Sequence, residues 1–273
     1  MSFFETSDGM SLYYEDAGAG VPVLCLSGLT RTVRDFDFVA PHLRGVRMIR
    51  MDYRGRGDSD WGDPTSYTIP REALDAVELL NHLGVDKAAL LGTSRGGLIA
   101  LVLAATARDR LMGVAFNDIG PVVETGGLDV IMGYLGVHPP FATLRDMALA
   151  RQDDPDFPGV PTTRWETFLS HNHTETAEGV RIGYDPKLRD AVAAGFGQPA
   201  PDLWPVFDML ADLPLAVLRG ANSDLLSAET VAEMARRHPG LIQAVVPDRG
   251  HIPFLDEPEA LHALTDWLEA LKK

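Results

Sequence analysis

Short apolar runs that alternate with segments of helical spacing are the feature that most restricts how this chain can fold. Each run is rich in β-branched residues and resembles a strand buried on both faces. The runs are Val21–Leu26, Val46–Met51, Ala88–Leu91, Met112–Phe116, Leu215–Leu218 and Ile242–Val246. The segments of helical spacing are Arg71–Leu83, Gly97–Ala107, Ala228–Arg237 and Pro258–Leu271. The alternation predicts an α/β fold with a mainly parallel sheet, right-handed crossovers and flanking helices.

The N-terminal segment departs from this alternation. Phe3–Thr6 and Ser11–Glu15 flank the dipeptide Asp8-Gly9, which suits the positive φ of a tight turn. These residues predict a hairpin of two antiparallel strands ahead of the parallel sheet.

A second departure covers residues 121–205. This stretch is rich in Pro, Gly and scattered aromatics, has helical patches at Leu128–Tyr134 and Phe141–Arg151, and contains no convincing buried strand. A chain of 273 residues is long enough for one full core yet short for two independent domains. We therefore expect a core formed by residues 1–120 and 206–273, with residues 121–205 inserted over the strand ends.

Charge and hydropathy limit the partners of this chain. A formal net charge of -15 disfavours nucleic acid, because binding to phosphates depends on clustered Lys and Arg. No stretch approaches the roughly 20 apolar residues of a spanning helix, and Glu5 and Asp8 stand where a signal peptide would be basic and then apolar. We expect a cytoplasmic protein that binds a small molecule and neither a membrane nor nucleic acid, while monomer and homodimer both stay open.

The pentapeptide Gly92-Thr93-Ser94-Arg95-Gly96 is the strongest local signal for chemistry. It lies between the apolar run ending at Leu91 and the helical segment starting at Gly97, and it fits the GxSxG pattern of a nucleophile elbow. In such a turn the glycines relieve crowding while the serine hydroxyl projects outward. An alternative role for Ser94 as a helix N-cap does not explain the flanking glycines. We predict Ser94 as nucleophile.

A serine hydroxyl is a weak nucleophile, so this mechanism requires a histidine base and a carboxylate that orients it. His251 follows the run Ile242–Val246 and a short loop, which places it beyond a strand end. We predict His251 as the base. The other histidines on helical segments have ordinary explanations as solvated or capping residues.

The acid can come from either of two loops. Asp224 follows the run Leu215–Leu218, on the edge of the sheet that Ser94 and His251 share. Asp118 and Glu124 follow the earlier run Met112–Phe116 and are its competitors. We favour Asp224 for this position of its loop.

Acyl transfer also needs two backbone donors for an oxyanion. The N–H of Arg95, directly after the nucleophile, is the first. The second normally comes from the loop after the strand preceding the first helix, here Ser27-Gly28-Leu29, so the N–H of Leu29 is the candidate. Gly28 lets the chain approach the substrate closely.

These residues resemble the α/β-hydrolase superfamily over almost the whole chain. Asp52-Tyr53-Arg54-Gly55-Arg56-Gly57-Asp58-Ser59 is similar to the family's loop after the third core strand, Gly250-His251 to its histidine loop and Gly92–Gly96 to its elbow. The resemblance implies a mostly parallel sheet of about eight strands, a helical cap at residues 121–205 and hydrolysis of an ester or a related bond through an acyl-enzyme.

Two positions depart from the family's pattern. Many members carry His-Gly where this chain has Ser27-Gly28, so the side chain that usually braces the oxyanion loop is missing. Arg95 is bulkier than the residue often found after the nucleophile. It could pair with a carboxylate near the cap or reach a polar substrate group, and the sequence leaves both open.

Aromatic residues of the insertion are candidates for an apolar pocket above Ser94. The residues predicted to contact substrate are Gly28, Arg31, Tyr134, Trp165, Trp204 and Ile252. His171 and His173 are two residues apart, which invites a metal interpretation, yet no third ligand has suitable spacing. We therefore predict no metal and no cofactor.

Three functions fit these residues. The leading hypothesis is a serine hydrolase of a carboxylic ester or lactone of a small, mainly apolar molecule. The second is hydrolysis of a carbon–carbon bond in a ring-cleavage product by the same triad. The third is a non-catalytic receptor for a small ligand, which the intact Ser, Asp and His set counts against.

Overall fold

The computed structural model describes residues 1–195 and 201–272 of the chain. Its main sheet has eight strands: β1 (Ser2–Glu5), β2 (Ser11–Gly18), β3 (Val21–Leu26), β4 (Val46–Met51), β5 (Ala88–Thr93), β6 (Leu111–Asn117), β9 (Leu215–Gly220) and β10 (Ile242–Val246). They lie side by side in the order β1-β2-β4-β3-β5-β6-β9-β10. The predicted α/β architecture is confirmed.

Only the N-terminal part of the sheet is antiparallel. β1 pairs with β2, and β2 with β4, in antiparallel register, whereas the pairs from β4 through β3, β5, β6 and β9 to β10 are all parallel. The central strands are buried along almost their whole length, which explains their continuous apolar sequences. Parallel pairing brings the carboxyl ends of these strands to one edge, where the functional residues lie.

Helices cover both faces of the sheet. The core helices are α1 (Ile69–His82), α2 (Arg95–Thr106), α8 (Ala228–Arg237) and α9 (Pro258–Ala270). Side chains of α1, α2 and α8 pack into one buried apolar cluster, and those of α9, including Trp267, pack into a second cluster on the opposite face. Thr68 caps α1 by accepting the N–H of Arg71, and Ser227 caps α8 by accepting the N–H of Thr230.

The chain between β6 and β9 forms mostly short elements. They are α3 (Thr125–Tyr134), α4 (Leu144–Leu149), α5 (Thr162–Ser170), β7 (His173–Thr176), β8 (Gly179–Ile182), α6 (Leu188–Ala193) and α7 (Trp204–Asp208). β7 and β8 form an antiparallel pair of their own, so this stretch contains two strands that the sequence did not predict. Residues 196–200 of the predicted insertion 121–205 lie outside the described residues. Its role as a cap stays a prediction.

This inserted stretch has apolar packing of its own. One cluster joins Phe157, Trp165 and Leu169 to Phe254 of the core, and another joins Leu135, Ile182 and Tyr184 to Tyr67. No helix in residues 1–195 and 201–272 is long and apolar enough to cross a bilayer.

Candidate active site

Ser94 occupies a sharp turn between β5 and α2. Its φ of 50° and ψ of -112° lie outside the ordinary regions for a residue with a side chain, which is the strained geometry of a nucleophile elbow. A Cβ at Gly92 would lie 2.6 Å from the carbonyl carbon of Gly96, and a Cβ at Gly96 would lie 2.0 Å from the carbonyl oxygen of Leu26. The glycines of the motif therefore have the steric reason that the sequence predicts.

The imidazole of His251 lies against the serine. His251 comes from the loop after β10, and its Nε2 is 2.9 Å from Ser94 Oγ. Its side chain is 14% exposed, so the imidazole is not fully enclosed by protein. The structure thus brings together the two residues that the sequence predicts as nucleophile and base.

The carboxylate that meets His251 belongs to Asp118, and this corrects the assignment of Asp224. Asp118 Oδ2 lies 2.7 Å from His251 Nδ1. Asp118 is fully buried, directly follows β6 and has a φ of 55°. Asp224 is exposed to solvent, as is the other competitor, Glu124. A carboxylate in water cannot hold an imidazole in one orientation as a buried one can.

The loop after β9 still contributes to the site, through other residues than Asp224. Asp118 Oδ1 accepts the N–H of Gly220 at 2.8 Å, and Asp118 Oδ2 accepts the hydroxyl of Ser223 at 2.6 Å. Asp118 therefore accepts hydrogen bonds from this loop in addition to that from His251. The loop predicted to supply the acid therefore does lie at the site. Its residues donate hydrogen bonds to the carboxylate of Asp118 and do not provide the carboxylate themselves.

The two backbone N–H groups predicted to bind an oxyanion come from neighbouring segments. Ser27, just ahead of Gly28 and Leu29, accepts the N–H of Gly96 at 3.1 Å through its carbonyl, so the loop after β3 is tied to the first turn of α2. Within the described part of the chain, the N–H groups of Leu29 and Arg95 donate to no protein acceptor. Both are free to bind a substrate oxygen, and the start of α2 adds a positive dipole.

The side chain of Arg95 turns away from the predicted substrate region. Its Nε donates to Glu72 Oε2 at 2.5 Å and its Nη2 to the carbonyl of Tyr67 at 3.0 Å. Glu72 is a fully buried residue of α1. Of the two roles that the sequence left open, pairing with a carboxylate is the one observed, and the partner is a residue of the core helix α1.

Three of the predicted substrate contacts lie beside the triad. A Cβ at Gly28 would be 3.0 Å from Arg31 Cγ and 3.9 Å from Ser94 Cβ, so Gly28 separates the nucleophile from the Arg31 side chain. The Arg31 guanidinium lies over the Phe168 ring at 3.6 Å and bonds Asp35. Ile252 directly follows His251 and is half-buried.

The three aromatic residues predicted to contact substrate lie in different surroundings. Trp165 is 1% exposed and packs edge-on against Phe157 and Phe254, so it is a core residue of the inserted stretch. Trp204 is half-buried and packs on Phe207 and against Arg237, the last residue of α8. The packing of Trp165 contradicts its assignment to a substrate pocket, and the assignment of Trp204 stays a prediction. Tyr134 ends α3 with half of its surface exposed, and its role stays a prediction.

The imidazoles of His171 and His173 are both held in their neutral form. Burial lowers the pKa of each to about 4. His173 Nδ1 lies 2.9 Å from the side-chain oxygen of Asn172 and 3.1 Å from the carbonyl of Leu169. Among residues 1–195 and 201–272, no group of three or more His, Cys, Asp or Glu side chains could hold a metal ion.

Comparison with known proteins agrees with this geometry. Residues 23–264 match the model of the alpha/beta hydrolase family. The chain belongs to this family. The match spans the sheet from β3 onward and includes the elbow, Asp118 and His251, so this alpha/beta hydrolase carries its family's motifs in the expected order.

Named relatives cover nearly the whole of this alpha/beta hydrolase. It is 35% identical over 251 residues to the 3-hydroxybutyrate-oligomer hydrolase of Cupriavidus necator, covering 86% of this chain and 84% of that protein. It is 28% identical over 276 residues to the 2-(acetamidomethylene)succinate hydrolase of Mesorhizobium japonicum, covering 96% and 92%. The crystal structure of an alpha/beta hydrolase from Novosphingobium aromaticivorans superposes with a TM-score of 0.91 at 38% identity, covering 98% of this chain and 97% of that one.

Proposed function

We propose that this protein is a serine hydrolase that cleaves a carboxylic ester or lactone of a small, mainly apolar molecule through an acyl-enzyme on Ser94. One observation carries the proposal: the continuous chain from Ser94 Oγ to His251 Nε2 at 2.9 Å and from His251 Nδ1 to Asp118 Oδ2 at 2.7 Å. A binding protein has no need of all three groups in this order.

The first half of the reaction uses all three side chains. Ser94 Oγ attacks the ester carbonyl carbon while its proton passes to His251 Nε2, and Asp118 stabilises the resulting imidazolium. The carbonyl oxygen becomes an oxyanion that the N–H groups of Leu29 and Arg95 bind. The tetrahedral intermediate then collapses, the C–O bond to the alcohol breaks, and His251 returns its proton to the leaving alcohol. The acyl group remains on Ser94.

Water completes the cycle by the same route. His251 takes a proton from a water molecule, whose oxygen attacks the acyl carbon, and the bond to Ser94 Oγ breaks as the proton returns to that oxygen. The acid leaves and Ser94 is regenerated. Every catalytic group in these steps is a side chain or an N–H of this chain.

The relative from Cupriavidus necator supports a choice of ester. It is named for 3-hydroxybutyrate oligomers, in which hydroxy acids are joined by ester bonds. We therefore propose short hydroxyalkanoate esters as the first natural substrates to test, beside simple esters of apolar acids.

A turnover panel tests the proposal. The wild-type protein is assayed with p-nitrophenyl acetate, p-nitrophenyl butyrate and the 3-hydroxybutyrate dimer, and Ser94→Ala serves as the inactive control. We expect turnover of at least one ester by the wild type and its loss in Ser94→Ala. Esters that the folded wild-type protein leaves intact, or turnover that survives in Ser94→Ala, would contradict the proposal.

The relative from Mesorhizobium japonicum favours a second candidate for the same site. The substrate in its name contains an acetamido group and no ester. Hydrolysis of a bond other than an ester, including a carbon–carbon bond in a ring-cleavage product, could use the same nucleophile and base. A dienoate substrate and an enamide in the same panel separate these reactions. Ligand binding without turnover of any of them would indicate a receptor.

A further inference from the structure

The loop that carries Leu29 is braced by a buried arginine. Arg56, from the loop after β4, is 0% exposed, and its Nε donates to the carbonyl oxygen of Leu29 at 2.9 Å. Its Nη1 donates to the carbonyl of Arg54 at 2.5 Å, which fixes the guanidinium to its own loop. Tyr53 adds a hydrogen bond from its hydroxyl to the carbonyl of Ser27 at 3.0 Å. The loop is therefore held by side chains from the loop after β4, although Ser27 stands where relatives often carry a histidine.

One carboxylate links this arginine to the residue that supplies the other oxyanion donor. Glu72 Oε1 lies 2.9 Å from Arg56 Nη1, and Glu72 Oε2 accepts a hydrogen bond from Arg95 Nε at 2.5 Å. Leu29 is thus connected to Arg95 through two side chains, Arg56 and Glu72. All three charged residues of this group are buried.

The charges of this group favour an ionised carboxylate. Burial alone would raise the pKa of Glu72, but the positive charges of Arg95 and Arg56 outweigh it and hold this pKa below its ordinary value. Burying two guanidinium groups and one carboxylate is costly unless their charges are paired. Arg56 Nη2 and Glu72 Oε1 are buried without a hydrogen-bond partner among the described residues, so the group depends on the charge pairing around Glu72. Removing its central carboxylate would leave two buried cations facing each other.

We propose that Glu72 is a positioning residue that fixes both oxyanion donors, the N–H of Leu29 through Arg56 and the N–H of Arg95 through the Arg95 side chain. The inference rests on the proposed function, acyl transfer at Ser94. Glu72 touches no reacting atom. Its effect is on where the two N–H groups lie when negative charge develops on the substrate oxygen, so it stabilises the transition state more than the bound substrate.

The chain offers a matched control on the same helix. Asp75 lies three residues after Glu72 in α1, is also 0% exposed and is paired with Arg54 and Arg71. Among the described residues no side-chain hydrogen bond or ion pair joins Asp75 to Arg95, and its link to Leu29 runs only through the backbone carbonyl of Arg54, which Arg56 contacts. Asp75→Asn therefore removes a buried carboxylate from the same helix and leaves the ion pairs of Glu72 with Arg56 and Arg95 in place.

The experiment compares Glu72→Gln with Asp75→Asn and wild type, using an ester that the wild type turns over. We expect kcat of Glu72→Gln to fall by at least about tenfold with KM nearly unchanged, since removal of a whole oxyanion donor costs about 100-fold to 1000-fold. Binding of a trifluoromethyl ketone analogue, which forms an oxyanion on Ser94, should weaken by a similar factor. Asp75→Asn should keep both kcat and analogue affinity within about twofold.

Two results would overturn the positioning role. One is a Glu72→Gln protein that binds the trifluoromethyl ketone as tightly as Asp75→Asn does, and the other is a loss confined to KM. If Glu72→Gln does not fold, Arg56→Lys replaces it. Lysine keeps the positive charge, but its single nitrogen cannot take the places of both Nε, which contacts Leu29, and Nη1, which contacts Glu72. We expect the same fall in kcat and in affinity for the trifluoromethyl ketone. Failure of the wild type itself to turn over or bind any probe would instead contradict the proposed function, so the two failures are distinct.

Discussion

The imidazole Nδ1 of His251 lies 2.7 Å from the carboxylate oxygen of Asp118, although 133 residues separate the two in sequence. Asp118 follows β6 and His251 follows β10. Between them in the sheet lies β9, and the end of β9 and the loop after it supply the hydrogen bonds that hold the carboxylate. The acid, its support and the base thus come from three neighbouring strand ends.

This relationship predicts the result of exchanging either candidate aspartate. Asp118→Asn should lower kcat by about 1000-fold to 10,000-fold, because an amide cannot stabilise the imidazolium and favours the wrong tautomer of His251. Asp224→Asn, the control, should stay within about twofold of wild type, since Asp224 is exposed. Steady-state kinetics with one ester decide the matter. A larger loss in Asp224→Asn than in Asp118→Asn would contradict the assignment.

Ser223 provides a second test of the same carboxylate. Its hydroxyl donates to Asp118 Oδ2 at 2.6 Å, so Ser223→Ala removes one of the bonds that orient Asp118. We expect kcat to fall by about tenfold, the equivalent of about 1.4 kcal/mol, with little change in KM.

Ser227→Ala is the matched control for this variant. Ser227 caps α8 and is not among the hydrogen-bond partners of the Asp118 carboxylate in the described part of the chain. The loss of its hydroxyl should therefore lower the free energy of unfolding by about 1 kcal/mol and leave kcat unchanged. Equal kcat values for Ser223→Ala and Ser227→Ala would show that the Ser223 hydroxyl does not matter to catalysis.

Close packing of the elbow predicts that alanine is tolerated very differently at two glycines, Gly96 and Gly133. A Cβ at Gly96 would lie 2.0 Å from the backbone oxygen of Leu26, whereas nothing lies within 4 Å of one at Gly133 in α3. Gly96→Ala should lower the free energy of unfolding by about 1–3 kcal/mol or more, and Gly133→Ala should raise it by about 0.5–1 kcal/mol. Urea denaturation measures both, and a Gly96→Ala protein as stable as wild type would be inconsistent with this packing.

Asp52 predicts a pH dependence of stability. Burial raises the pKa of Asp52 from 3.8 to about 7, against the hydrogen bonds that its carboxylate accepts from the N–H groups of Val33 and Asp58. Between about pH 4 and pH 7 the folded protein keeps a proton that the unfolded chain has lost. The free energy of unfolding therefore falls as pH rises, by up to about 1.4 kcal/mol per unit.

The asparagine of Asp52→Asn has no titratable proton, so this variant should not lose stability through position 52 as the pH rises. Its free energy of unfolding relative to wild type should therefore rise from about pH 4 to about pH 7 and stay level above that range. Urea denaturation of both proteins at about pH 5, 6, 7 and 8 gives the difference directly. A difference that is constant, or that favours the wild type as pH rises, would refute the raised pKa.

The sequence predicts the sheet well because apolar, β-branched runs leave a strong signal. Val21–Leu26, Val46–Met51 and Ile242–Val246 coincide with β3, β4 and β10 residue for residue. β10 is an edge strand and only partly buried, so the expectation that this run is buried on both faces is wrong. The pair β7 and β8 escapes prediction, because its strands have only four residues each and the first of them, HTET, is polar. Short strands that pair only with each other need little apolar sequence.

The choice between Asp118 and Asp224 shows what the sequence cannot decide. Both aspartates follow strands that end at the same edge of the sheet, so order along the chain does not separate them. The answer depends on the left-handed turn at Asp118, with a φ of 55°, and on the donors Gly220 and Ser223, which arrive from the neighbouring loop. The brace on Leu29 is equally non-local, because Arg56 and Glu72 lie on separate elements.

Labelling with a fluorophosphonate reports on the reactivity of Ser94 itself, because this reagent reacts with a serine only when a base activates it. We expect one adduct per chain, located on Ser94 by peptide mass spectrometry, and its loss in both Ser94→Ala and His251→Ala. A folded wild-type protein that stays unmodified, or an adduct that persists in Ser94→Ala, would rule out Ser94 as a nucleophile activated by His251.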